Sequence, residues 1–139
     1  MLKILFSDGS FKIVRRIKRR KKRRSLTTAF SKIDFLKNKE KAREIILERL
    51  KHFSLLYDLS HGRVSIRNQK TRWGSCSKQG NLNFNYRLVH LREELLDYVI
   101  VHELCHLKEF NHGSGFWDLV AKTTPKHREL RRELKNIRI

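Results

Sequence analysis

The segment from Leu91 to Leu107 constrains this chain most, because Leu95, Leu96, Val99, Ile100, Val101, Leu104 and Leu107 cover most of a helix circumference. A helix that apolar has to be buried. It nevertheless carries His102, Glu103 and His106, polar groups that are costly in a protein interior without partners. At about 100° per residue the two histidines lie about 400° apart, so both imidazoles leave the helix from nearly one face. Two neutral imidazoles so placed can share one metal ion. Glu103, beside them, is positioned to hydrogen-bond a water on that ion rather than to ligate it.

A site of this kind needs a third protein ligand and an open fourth position. His112, six residues beyond His106, is the candidate. An uninterrupted helix would carry it about 240° away from His106, so the helix has to break between them. Asn111 tolerates the left-handed conformation that ends helices, and Gly113 frees the chain beyond it.

The rest of the chain reads as short strands and helices around this segment. Leu2–Phe6 and Phe11–Val14 are β-type runs flanking Asp8-Gly9, a hairpin signal. Ser25–Ile33 is again β-type, with Leu26, Thr28 and Phe30 alternating. From Asn38 the period becomes helical, with Ala42, Ile45, Ile46, Leu50, Phe53 and Leu56 on one side and an end near Ser60-His61-Gly62. Arg63–Arg67 is a short alternating strand. Leu82, Phe84 and Tyr86 alternate with Asn81, Asn83 and Asn85, which predicts a half-buried strand at a sheet edge. Glu93 and Glu94 open the apolar helix, where acids suit the N-terminal dipole, and it is expected to run to about Phe110. A helix over about 114–122 follows, and Thr124-Pro125 starts a last, highly charged one.

Lys and Arg number 33 against 14 Asp and Glu, a formal net charge of +19. Ten of the basic residues lie in Lys12–Arg24, which holds no acid, yet the remainder is still basic by nine. That imbalance favours polyanions of some kind. The arm Lys12–Arg24 points to nucleic-acid association, although the lack of interleaved aromatics argues against base stacking. Two cysteines, Cys76 and Cys105, form no close pair and fit a reduced, cytoplasmic protein in which both act as small hydrophobes. No apolar run reaches the ~18 residues of a membrane span, and Lys3, Asp8 and Lys12 interrupt any leader-like segment. Trp73 and Trp117 are expected in the core. His52, His61, His90 and His127 have no partners at ligand spacing, so surface positions are expected for them.

Residues from about Lys39 to Leu134 resemble the YgjP-like metallopeptidase family. The resemblance rests on Ile66-Arg-Asn-Gln-Lys-Thr-Arg-Trp-Gly-Ser-Cys76, Asn81-Leu-Asn83, Arg87-Leu-Val89 and Asp97-Tyr98. It continues through Val101-His-Glu-Leu-Cys-His-Leu-Lys-Glu109, Asn111-His112 and Phe116-Trp117. Arg92-Glu93 stands where the family usually has prolines. The resemblance implies a zincin-like fold, a zinc ion on His102, His106 and His112, and Glu103 as catalytic base.

The chain is therefore expected to be α+β, a zincin-like domain with a small sheet packed on the active-site helix. Residues 1–37 would form a short basic strand region and 38–139 the metallopeptidase domain, together one compact unit. The expected function is zinc-dependent hydrolysis of peptide bonds, with a peptide or protein substrate. An extended substrate would pair with the edge at Leu82–Tyr86; His127 and Arg72 are candidates for stabilising the oxyanion, and spacing singles out neither. Two other functions fit the same residues. One is a basic nucleic-acid-binding protein with a structural metal, and the other is a zinc hydrolase of a non-peptide amide.

Overall fold

The structure, a computed structural model, describes residues 2–5, 11–14 and 26–139, with side chains from Lys32 onward. Strands β1 (Leu2–Leu5) and β2 (Phe11–Val14) pair antiparallel, with Leu2 opposite Val14 and Leu5 opposite Phe11. That pairing is the hairpin expected from Asp8-Gly9; the turn itself lies outside the described residues, as do residues 15–24 of the basic arm.

Helix α1 spans Leu26–Tyr57 and runs through residues 37 and 38 without interruption. The strand expected at Ser25–Ile33 is thus helix over its described part. Tertiary contact overrides β propensity in this region. Tyr86 donates its hydroxyl to Asp34 at 2.7 Å, and Phe35 meets the Tyr86 ring edge-on at 5.3 Å between centroids. Ala42, Ile46, Leu50 and Phe53 form the buried stripe of α1, at spacings of three and four. Leu56, expected on that stripe, is exposed.

The helix ends earlier than Gly62. Asp58 takes φ 51°, Leu59 N–H reaches the Ser54 carbonyl at 3.0 Å and Asp58 N–H the Leu55 carbonyl at 3.3 Å. These are the paired bonds of a Schellman end, with an aspartate in the place usually taken by glycine.

Three strands follow: β3 (Val64–Arg67), β4 (Gly74–Cys76) and β5 (Leu82–Asn85). Their order is β3-β5-β4, with β3 parallel to β5 and β4 antiparallel to it. The strand expected at an edge is therefore central. Leu82 and Phe84 are fully buried as predicted, but so is Asn85. Its amide nitrogen donates to the Gln69 carbonyl at 2.8 Å and the Arg72 carbonyl at 3.1 Å, and its oxygen accepts from Arg87 N–H at 3.2 Å. A buried amide with those partners shapes the loop that leads into β4.

A short 3-10 helix, Tyr86–His90, leads to α2 (Glu93–Cys105), the apolar helix of the sequence. Nine of its thirteen residues are buried, which leaves little room for anything but packing on the face toward α1. Helices α3 (Ser114–Ala121) and α4 (His127–Asn136) complete the fold. Pro125 precedes α4 in a turn instead of occupying its first position. Arg49 on α1 grips Asp97 on α2 through two bonds, Nε to Oδ1 at 2.7 Å and Nη2 to Oδ2. Tyr57 at the end of α1 donates to the Leu119 carbonyl of α3 at 2.9 Å. One long helix thus braces both elements that carry the candidate site. No helix among the described residues is long and apolar enough to cross a membrane.

Candidate metal centre

Helix α2 stops at Cys105, five residues short of the expected end, with His106 as its C-cap in the right-handed helical region. The chain then tightens: Leu107 N–H bonds to the Leu104 carbonyl and Lys108 N–H to the Cys105 carbonyl, both three residues back. Asn111 does not take a left-handed conformation, since Asp58 is the only non-glycine with positive φ among the described residues. The turn is held by a side chain instead. His106 Nδ1 lies 3.0 Å from the Glu109 carbonyl oxygen. A carbonyl only accepts, so the ring proton sits on Nδ1 and the lone pair on Nε2.

This reversal returns His112 to the helix. One nitrogen from each of His102, His106 and His112 falls within 4.8 Å of the others, and the Nε2 atoms of His102 and His112 are 3.1 Å apart. Zinc–nitrogen bonds of about 2.0–2.1 Å in a tetrahedron separate two ligand nitrogens by about 3.3 Å. The His102–His112 pair is close to that spacing, and the three ligand nitrogens as a set lie within 4.8 Å of one another. Burial, then the neighbouring His106 and His112, pushes His102 down to about 3. Burial lowers His112 as well. Neutral rings offer lone pairs to a cation.

Aromatic side chains hold the cluster. Phe116, fully buried at the start of α3, lies under all three imidazoles at centroid distances of 4.6–4.9 Å. Trp117 stacks on His112 at 5.7 Å and donates its indole N–H to the His112 carbonyl at 3.1 Å. Trp117 is only half-buried, so it serves the centre at least as much as the core. Trp73, also half-buried, lines the cavity of about 610 Å³ that opens onto His102, Glu103 and His112.

Glu103 is buried beside these histidines, and burial raises its carboxyl to about 8 against the opposing pull of Arg72. Its position depends on Gly74 in β4. A Cβ added there would lie 2.7 Å from Glu103 Cγ and 2.8 Å from Oε1, distances no methyl group tolerates. Sequence reading missed Gly74, although a glycine inside a strand signals close approach by another group. Two further groups, to which sequence reading gave no role, line the same cavity as Trp73. Tyr98 is pushed up to about 12, chiefly by burial, and Arg131 reaches in from α4.

Arg72 lines a cavity with Glu103 and all three histidines. His127 does not border either cavity that reaches them; it stacks on Trp117 at 5.2 Å and is half-buried. His52 and His90 are exposed, and His61 is half-buried. Both cysteines are free, Cys105 buried in the core and Cys76 half-buried near Glu103.

Comparison with known proteins agrees with this geometry. The crystal structure of the metallopeptidase zymogen of Pyrococcus abyssi abylysin superimposes with a TM-score of 0.59 and 28% identity, over 64% of this chain and 90% of that one. The zymogen of Methanocaldococcus jannaschii jannalysin gives a TM-score of 0.55 and 29% identity, over 66% and 97% respectively. No curated protein matches the sequence. The description "YgjP-like, metallopeptidase domain" matches residues 10–137, nearly the whole chain and well beyond the stretch from Lys39 to Leu134. An α+β fold with three converging histidines, a buried glutamate beside them and a family match of that extent leave one assignment: the chain belongs to the YgjP-like metallopeptidases.

Proposed function

We propose that the chain is a zinc peptidase in which His102, His106 and His112 hold one ion and Glu103 is the general base. The observation that carries this reading is the convergence of three imidazole nitrogens within 4.8 Å, next to a glutamate seated on a glycine. Bound there, zinc would supply Lewis-acid polarisation of a carbonyl and make water more acidic. Glu103 takes the proton of the attacking water and later delivers it to the leaving amine. Its buried setting favours the first half of that task, because a carboxylate destabilised by burial accepts a proton readily. Arg72, which lines the same cavity and draws the Glu103 carboxyl down, is the candidate for stabilising negative charge on the carbonyl oxygen.

The substrate edge moves from β5 to β4. β5 is paired on both sides, whereas β4 has a partner only through β5 and passes against Glu103 at Gly74. An extended peptide adding alongside Gly74–Cys76 would bring a carbonyl to the cluster. The free state of both thiols supports the cytoplasmic reading.

Elemental analysis of purified protein tests the ligand set. About one zinc per chain is expected in wild type, with a large loss in His112→Ala. Glu103→Gln should keep its zinc and lose peptide hydrolysis. Wild type that holds no zinc after reconstitution would end this proposal. A nucleic-acid role as the main function, through Lys12–Arg24, would instead show as oligonucleotide binding with no hydrolysis in wild type.

A further inference from the structure

Helix α4 sorts its charges by face. At about 100° per residue, Arg128, Arg131, Arg132 and Lys135 fall within an arc of about 100°. Leu130 and Leu134 lie opposite and are buried. Glu133 lies between the two faces and is taken by Arg92, at the start of α2, through two bonds, one of 3.1 Å and one of 2.6 Å. Three of the four acids of α2 are spent in the same way: Asp97 and Glu93 on Arg49, and Glu94 on Arg92. Among the described residues none of the four cations on the basic face makes an ion pair.

That face is turned into the cleft. Arg131 and Lys135 line the cavity that contains His102, Glu103 and His112. The same two residues, with Arg128 and Arg132, also line a second cavity of about 520 Å³ against Trp117. Arg131 lies over the Trp117 ring at 5.1 Å. Among the described residues, Glu103 and Asp118 are the only acidic side chains bordering the two cavities. Like charges four residues apart on a helix repel, so the pairs 128/132 and 131/135 cost the fold stability. Unpaired cations in a concave wall focus positive potential on whatever occupies it.

We infer that this basic wall of α4 is a substrate subsite that selects peptides with acidic side chains beside the bond to be cleaved. The inference rests on the peptidase reading above and extends it to the class of substrate. Arg128 and Arg132 are its outer contacts. Arg131 and Lys135 continue it to the metal centre.

The test uses the zinc-loaded full chain and peptides identical except for Glu, Gln or Lys flanking the cleaved bond. The Glu peptide should be cleaved with kcat/KM about tenfold or more above the Gln peptide at low salt, with the gap narrowing in about 0.5 M salt. In Arg128→Gln/Arg132→Gln the Glu:Gln ratio should fall toward one, chiefly through slower cleavage of the Glu peptide. Arg132→Gln alone, a single surface change, should give an intermediate ratio and guards against misfolding of the double variant. Equal cleavage of Glu and Gln peptides by wild type, or an undiminished preference in both variants, would overturn the inference. Fluorescence anisotropy of a non-cleavable Glu peptide is measured in parallel on the metal-free chain. If no peptide is cleaved at all, the peptidase reading fails, and this binding alone decides the subsite: loss in the variants supports it, equal binding overturns it. Should a single-stranded oligonucleotide bind more tightly than the Glu peptide, with the same dependence on Arg128 and Arg132, the wall is a nucleic-acid surface and the peptide subsite is refuted.

Discussion

The two ends of helix α2 handle polar groups in opposite ways. At its N-terminal end, Glu93, Glu94 and Asp97 are half-buried or exposed, and each meets an arginine from another part of the chain or from the helix cap. At its C-terminal end, Glu103 is buried with no ion pair among the described residues, and His102 Nδ1 is buried without a hydrogen bond. The first end fastens the helix to α1 and α4 and stabilises the fold. The second costs stability, because a carboxyl and an imidazole are held away from water with little in return. A metal on the imidazoles would offset part of that cost. If the proposed function holds, stability and activity in this molecule are governed by different residues a few turns apart.

The sharpest way to break that division is Glu103→Gln. Hydrolysis should fall by about 10²–10⁴-fold, the range of general-base contributions, while thermal stability is unchanged or raised because a buried ionisable group has gone. A large drop in Tm alongside lost activity would show that Glu103 also holds the fold. Zinc removal probes the same end from the other side. Free zinc at about a thousand times its Kd stabilises a native state by about 4 kcal/mol, so dialysis against a chelator should lower Tm by an amount that zinc restores. Calorimetry with and without zinc measures it directly.

Gly74→Ala sharpens the comparison at the strand that faces Glu103. The added methyl group would sit 2.7 Å from Glu103 Cγ, and the carboxyl has to move. A displacement of about 1 Å in a catalytic group can cost about 10²-fold in rate. Zinc content should stay near wild type, and retained kcat would mean that the carboxyl position is not limiting. The smallest effect belongs to the other end of the helix. Arg49→Met removes the bidentate contact to Asp97, and a partly exposed pair of this kind contributes about 1–2 kcal/mol to stability. Urea titration should show that loss, with zinc stoichiometry and kcat unchanged.

Legibility in the sequence followed how local each interaction is. The helix bearing His102, Glu103 and His106 could be read because three residues within five positions report their own geometry. The buried stripe of α1 could be read over Ala42–Phe53 for the same reason. The first quarter of α1 reads as strand in sequence, since Thr28 and Phe30 carry β propensity and the contacts of Asp34 and Phe35 with Tyr86 lie some fifty residues away. β5 was read correctly as a strand and wrongly as an edge. Alternation shows that one face is apolar; it does not say how many neighbours a strand has. Asn85 looked like a solvent-facing residue because its partners, the carbonyls of Gln69 and Arg72, have no side-chain signature.

By itself the sequence determined the apolar helix carrying His102, Glu103 and His106, the need for a chain reversal to bring His112 to it and the large excess of positive charge. Each follows from rotation per residue or from composition, neither of which requires knowledge of distant parts of the chain. Tertiary structure alone decided that His106 Nδ1 pins the reversal, that Gly74 lies against Glu103, that β4 and not β5 is an edge strand and that the cations of α4 face the cleft. Those four depend on how helices and strands pack across many residues of separation. Local periodicity sets which face of an element is apolar, while packing sets what that element meets.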